Sequence, residues 1–243
     1  MLKEDKSEYY CINCGEKTKS LFKKYSETVL KLTNCDNCNE IADKYLEYDI
    51  VIIIIDLILL NTMAYRHILL NTKFKHFWKL SVILILLESY CKWVLTSTNF
   101  QDHMIHNKTS QPNLKDFHMK IEDLQYYGIC INTTISYSCF TLTIVALICV
   151  YKQYFNQKLL IHPSLTLVMK TVTLASTGIL LQLPSIIWDL SLYGYHLHFI
   201  TLYTWLSQLL AFRVICPSPK AWCLFVIFSA HLIKTGVSVN YKF

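Results

Sequence analysis

The hydrophobic pattern divides the chain into a short polar front and a long apolar remainder. Through residue 49 the apolar positions come in small groups. Leu21-Phe22-Lys23-Lys24-Tyr25 and Val29-Leu30-Lys31-Leu32-Thr33 read as two short strands, with Ser26-Glu27-Thr28 as the turn. The pattern then changes: Ile50 to Leu60 holds a single polar residue, Asp56. A span needs about 20 apolar residues, and reaching that length here buries Asp56, Asn61, Arg66 and His67. Length therefore favours a helix lying in the interface or packed on a bundle over one that inserts.

Longer apolar runs follow at about 77–97, 127–151, 165–188, 195–215 and 221–239, with a polar loop over 98–126. The first carries Glu88 and Lys92, four apart and so on one helix face, where they can pair. A charge inside a span faces protein or a water-filled cavity rather than lipid. Lys170 is a third intramembrane polar position, on a stripe with Thr166, Thr173 and Thr177. Thr134, Ser138 and Thr141 form a stripe in the second run, and Thr201, Thr204 and Gln208 in the fourth. Such stripes ordinarily serve interhelical hydrogen bonds. The sharper reading is a bundle interior polar enough to receive a lipid headgroup or hydroxyl. Pro184 is expected to kink the end of the third run.

The expected fold class is an all-α polytopic membrane protein with about five transmembrane helices and a small N-terminal cytosolic zinc ribbon. Residues 1–49 form the ribbon, 50–76 an interfacial apolar and basic juxtamembrane segment, and 77–243 the transmembrane bundle. Composition agrees: of 243 residues 53% are hydrophobic and 16% charged, against about a quarter charged in soluble domains. Mean hydropathy is +0.32.

Four cysteines give the front its chemistry. Cys11-x-x-Cys14 and Cys35-x-x-Cys38 are separated by 20 residues. Two knuckles at this spacing, joined by a hairpin, suit a tetrahedral four-thiolate zinc site (Zn2+). Met1 to Glu8 is polar, with no apolar stretch before the cysteines, which places the ribbon in the reducing cytosol. Four thiolates leave no open coordination position, so the zinc is structural. Cys91, Cys130, Cys139, Cys149, Cys216 and Cys223 lie in or beside apolar runs and read as small hydrophobic residues.

Charge narrows the partners. Residues 1–49 carry eight Lys and ten Asp or Glu, and thiolate coordination adds further negative charge. An acidic ribbon lacks the basic patch that nucleic acid requires. Residues 61–80 hold one Arg, three Lys and no acid. This strip suits the cytosolic leaflet. Within it, Tyr65, Arg66, His67 and Asn71 are a candidate surface for a partner or a lipid headgroup, although the positive-inside rule alone accounts for the charge. Five spans starting from a cytosolic N-terminus put the basic turns at Lys152–Lys158 and Arg213–Lys220 on the cytosolic side. Asn107-Lys108-Thr109 is then a lumenal glycosylation sequon, and Asn107 a candidate acceptor.

The stretch from Cys11 to Asn71 resembles the Arv family of endoplasmic-reticulum membrane proteins. The resemblance rests on the two Cys-x-x-Cys pairs, then Asp43-Lys44-Tyr45-Leu46-Glu47-Tyr48-Asp49, then Ala64-Tyr65-Arg66-His67-Ile68-Leu69-Leu70-Asn71, in that order. Weaker echoes are Glu88-Ser89-Tyr90-Cys91-Lys92-Trp93 and Leu183-Pro184-Ser185-Ile186-Ile187-Trp188-Asp189. It implies a zinc-bound ribbon, a reticulum location (with the Golgi as an alternative) and a part in sterol distribution. It also implies links to sphingolipid metabolism and to glycosylphosphatidylinositol precursor supply.

The expected function is therefore non-enzymatic lipid handling, with membrane lipids as ligands. The alternative is a scaffold or accessory subunit of a lipid-biosynthetic enzyme. A membrane enzyme is disfavoured. His103-x-x-His106 and His196-x-His198 do not make the several His boxes of iron-dependent lipid oxidases, and no His-Glu-x-x-His or Gly-x-Ser-x-Gly occurs. A third reading is a soluble zinc adaptor on a passive anchor.

Overall fold

Two turns of matching sequence organise the front of the chain in this computed structural model, which describes residues 8–26, 30–106, 113–155, 164–188 and 195–240. Cys11-Ile12-Asn13-Cys14-Gly15-Glu16 and Cys35-Asp36-Asn37-Cys38-Asn39-Glu40 close in the same way. In each, the first Cys N–H donates to the Glu carbonyl, at 2.8 Å in both turns. The residue after the second Cys adopts positive φ, +86° at Gly15 and +58° at Asn39. Gly and Asn are the residues that take this left-handed conformation at least cost. The first turn sits between β1 (Tyr9–Tyr10) and β2 (Lys17–Thr18), and the expected hairpin forms as β3 (Phe22–Lys24) against β4 (Leu30–Leu32). Ile12 N–H donates to Ala42 O and Asn13 Nδ2 to Ile41 O, so the two turns are tied together.

A 3-10 turn at Lys44–Leu46 leads to α1 (Ile50–Ile58), which starts after Asp49 without a side-chain capping bond. Leu60 then takes φ +57°, and Asn61 caps α2 (Thr62–Arg66) by accepting from Met63 N–H. A π-helical turn, His67–Asn71, continues α2. The two halves meet at 120°. The sequence favoured a helix in the interface. The chain makes a sharply broken pair of helices there, because Leu60-Asn61 stops the first helix and starts the second. Ile50, Val51, Ile54, Ile55, Ile58 and Leu59 are exposed, a greasy outer face for a segment this short.

Helices make up the rest: α3 (Phe77–His106), α4 (Asn113–Phe155), α5 (Leu165–Ala175), α6 (Gln182–Ile187), α7 (Tyr195–Ile215) and α8 (Lys220–Asn240). Among the described residues three stretches are long and apolar enough to cross a membrane: Leu124–Tyr154, Leu165–Ile187 and Lys220–Val239. The bent pair over 50–71 makes a fourth if it is one broken span. α3 and α7 occupy the expected first and fourth runs but are more polar, with Lys79, Glu88 and Lys92 in one and Thr201, Thr204, Ser207, Gln208 and Arg213 in the other.

Much of the expected loop over 98–126 is helical: α3 runs on to His106 and α4 starts at Asn113, directly after Pro112. Leu114, Phe117, Ile121 and Leu124 recur at helical spacing, which the average polarity of the segment hides. At 43 residues α4 is about 65 Å long, roughly twice the hydrocarbon thickness of a bilayer. The third run breaks before Pro184. A 3-10 segment, Ser176–Leu181, joins α5 to α6 and carries Gly178 against α7. α8 packs chiefly on α4, and α5 on α7, around Phe140, Ile144, Val168, Phe212 and Ile227.

Candidate functional site

The matched turns bring Cys11, Cys14, Cys35 and Cys38 together with all four sulfurs within 4.8 Å of one another. Cys11 Sγ lies 3.7 Å from Cys38 Sγ, and Cys14 Sγ 3.6 Å from Cys35 Sγ. Sulfurs about 2.3 Å from a tetrahedral ion sit about 3.8 Å apart, so the cluster has the dimensions of a four-thiolate metal centre. Burial pushes the Cys11 thiol up to about 12. Burial also opposes ionisation of Cys14, but the Glu16 backbone, the Asn37 side chain and neighbouring sulfurs bring it down to about 7. Four thiols this close cannot all ionise by themselves; a divalent cation makes that possible. The four cysteines can therefore hold a metal ion, and all its positions would be filled by protein.

The same turns grip α2. Arg66 Nη1 donates to Ile12 O at 2.8 Å and also to Asn13 O, with the guanidinium resting on Gly15. Asn71 works like a strand partner for Tyr10, accepting from its N–H at 3.0 Å and donating to its carbonyl at 2.8 Å. Asp43 is fully buried and collects His67 Nδ1 and Asn71 Nδ2 on one oxygen, each at 2.7 Å. Tyr45 donates to Asp56 Oδ2 at 2.5 Å, and that bond, together with burial, holds its hydroxyl above its ordinary pKa, burial contributing most. Tyr65 is buried and shares a 2.8 Å hydrogen bond with Ser207 of α7. Of the four residues assigned to a partner or headgroup surface, Tyr65 and His67 point inward and Asn71 is half-buried and engaged. Arg66 alone also reaches an open cleft.

That cleft, about 790 Å³, lies between the first cysteine turn, α2 and the C-terminal end of α7. Arg66, Arg213, Asn61 and Ser218 line it together with Leu206, Leu209 and Leu210. It combines cationic and hydroxyl groups with an aliphatic wall.

A second polar site lies within the bundle. Glu88 pairs with Lys92 as the four-residue spacing suggested, and also with Lys234 of α8; both ammonium groups lie 2.9 Å from Oε1. His231 Nε2 meets Gln208 Oε1 at 2.6 Å, and its ring lies against Trp205. These groups line a cavity of about 320 Å³. Lys170 is elsewhere, over the ring of Phe77. Asn107 lies outside the described residues.

The hydroxyl stripes mostly serve their own helices. Thr134, Ser138, Thr173, Thr201 and Thr204 each donate to the carbonyl four residues before. Interhelical bonds are fewer, such as Tyr137 with Thr173, His231 with Gln208 and Lys92 with Thr133. Sequence reasoning passed over Asp43 as a link and Lys234 as the second partner of Glu88. A lone Lys within an apolar run, three residues after His231 and needing a counterion, was the available signal for the latter.

A family profile described as the Arv1-like family matches residues 10–212. Over 229 residues the chain is 31% identical to "Protein ARV1" of Mus musculus, covering 94% of this chain and 82% of that protein. "Protein ARV 2" of Arabidopsis thaliana is 45% identical over 96 residues, 37% of this chain and 42% of that protein. "Protein ARV1" of Candida albicans is 47% identical over 62 residues, 25% of this chain and 21% of that protein. No solved structure matches.

Proposed function

Because this chain belongs to the Arv1-like family, we propose that it is a non-enzymatic mediator of lipid homeostasis, moving or presenting sterol in the endoplasmic-reticulum membrane. Through the same lipids it influences sphingolipid metabolism and glycosylphosphatidylinositol precursor supply. The observation that carries this reading is the cleft that Arg66 and Arg213 line together with Leu206, Leu209 and Leu210. A lipid at the interface presents the same pairing of polar head and apolar body.

The metal is a structural zinc on Cys11, Cys14, Cys35 and Cys38, which clamps the ribbon to α2 and leaves no position for substrate. The ribbon faces the cytosol and five helices cross: α3, α4, α5 with α6, α7 and α8. In support, the basic ends of the helices (Lys73, Lys75 and Lys79 before and in α3, Arg213 in α7, Lys220 in α8) fall on the ribbon side under this topology. The cleft then opens at the cytosolic leaflet.

The test uses the purified full chain with dehydroergosterol-loaded vesicles. Saturable binding and faster transfer to acceptor vesicles are expected, with Arg213→Gln weakening binding. A protein that neither binds nor moves the sterol, yet copurifies with a lipid glycosyltransferase, overturns this in favour of an accessory subunit. The exposed aliphatic face of α1 favours that second reading, since it suits a membrane partner.

A further inference from the structure

We propose that the cavity between α3, α7 and α8 receives the phosphate of an anionic lipid headgroup. The inference deepens the lipid-handling reading and rests on it.

Charge is the first ground. Lys92 and Lys234 share one carboxylate, and Glu88 is the sole acidic residue lining the cavity among the described residues. Two ammonium groups against one carboxylate leave a unit of positive charge inside the bundle. In a low-dielectric setting an unmatched charge is costly, and a monoanion in the cavity removes that cost. His231 does not supply it: a neutral imidazole donating from Nε2 satisfies Gln208 Oε1.

Hydrogen-bonding capacity is the second. Each ammonium carries three donors, and the recorded bonds of Lys92 are to Glu88 and Thr133, those of Lys234 to the two oxygens of Glu88. Gln182 Oε1, on the cavity wall, is buried and accepts no hydrogen bond. An unpartnered buried acceptor calls for a donor, which a headgroup hydroxyl supplies.

Shape is the third. About 320 Å³ is the scale of a small-molecule pocket, and Leu95, Ile179, Ile200 and Trp205 give it apolar walls for the start of an acyl chain. A neutral sterol would leave the charge unmatched.

Phosphatidylglycerol has one negative charge and free headgroup hydroxyls, so it is the probe. The full-length protein in neutral detergent is titrated with phosphatidylglycerol or phosphatidylcholine and read by native mass spectrometry. Phosphatidylglycerol should bind about tenfold more tightly. Lys234→Gln should remove most of that preference, while Glu88→Gln, which frees both ammonium groups, should strengthen it; a purely structural triad gives no such opposite signs. Lys170→Gln, outside both cavities and over the Phe77 ring, should leave the preference intact. Should Lys234→Gln fail to fold, absence of any preference in the natural protein still overturns the proposal. Inorganic phosphate that binds alone and displaces the lipid completely identifies a free-phosphate site and overturns the lipid assignment. Dehydroergosterol binding without phosphatidylglycerol preference sinks only this inference; loss of both sinks the lipid-handling reading.

Discussion

His67 Nδ1 lies 2.7 Å from Asp43 Oδ2, joining the last turn before the membrane segment to the ribbon through a carboxylate with no solvent exposure. Asn71 binds the same oxygen and Tyr45 N–H the other, so Asp43 has three donors from three positions of the chain. The ribbon is thereby fixed to the broken helix pair rather than tethered to it.

Replacing Asp43 with Ala removes the acceptor of all three donors, two of them in buried hydrogen bonds. Loss of about 3 kcal/mol of stability is expected, the scale for breaking a buried pair. Thermal denaturation of the purified protein in detergent measures it. An unchanged Tm would show that the link is dispensable.

One zinc ion per chain should be found by elemental analysis. Four-thiolate coordination supplies on the order of 10 kcal/mol to a ribbon too small for its own core. Chelation, or Cys35→Ser, should make the front protease-sensitive. Helical circular dichroism should persist, because the core around Phe140, Val168, Phe212 and Ile227 contains none of the four ligands.

The hydrogen bond between Tyr65 and Ser207 connects α2 to α7 across 142 residues of sequence. Tyr65→Phe and Ser207→Ala should each cost about 1 kcal/mol, and together less than the sum. Strict additivity in the double-mutant cycle would mean that the two side chains do not interact.

Gly178 permits close packing of the 3-10 segment on α7. A Cβ there would lie 2.7 Å from Thr204 Oγ1 and 2.8 Å from the Tyr203 ring. Gly178→Ala should therefore destabilise by about 1–3 kcal/mol, the range for overpacking. Gly236, with open space around it, is the control: Gly236→Ala should not destabilise.

The cysteine cluster was legible because Cys-x-x-Cys spacing is local chemistry, and the Glu88–Lys92 pair because helical periodicity is local geometry. The inward turn of Tyr65 and His67 was not, since a basic strip beside a membrane looks the same whether its residues face lipid or a ribbon. Lys234 lies 146 residues from Glu88, and only the packing of α8 brings the two together. Local patterns likewise missed the break at Leu60-Asn61, where an apolar residue takes a positive φ. The long start of α4 was hidden by averaging polarity over a segment whose apolar residues already fell at helical spacing.

The central claim is that the ribbon is a clamp and the bundle handles the lipid. Residues 1–76 on an unrelated single-span tail, expressed in cells lacking their own family member, test it most directly, with sterol distribution between reticulum and plasma membrane as the readout. The full chain should restore that distribution and the chimera, though zinc-bound and stably expressed, should not. Restoration by the chimera would contradict the account and place the function in the ribbon.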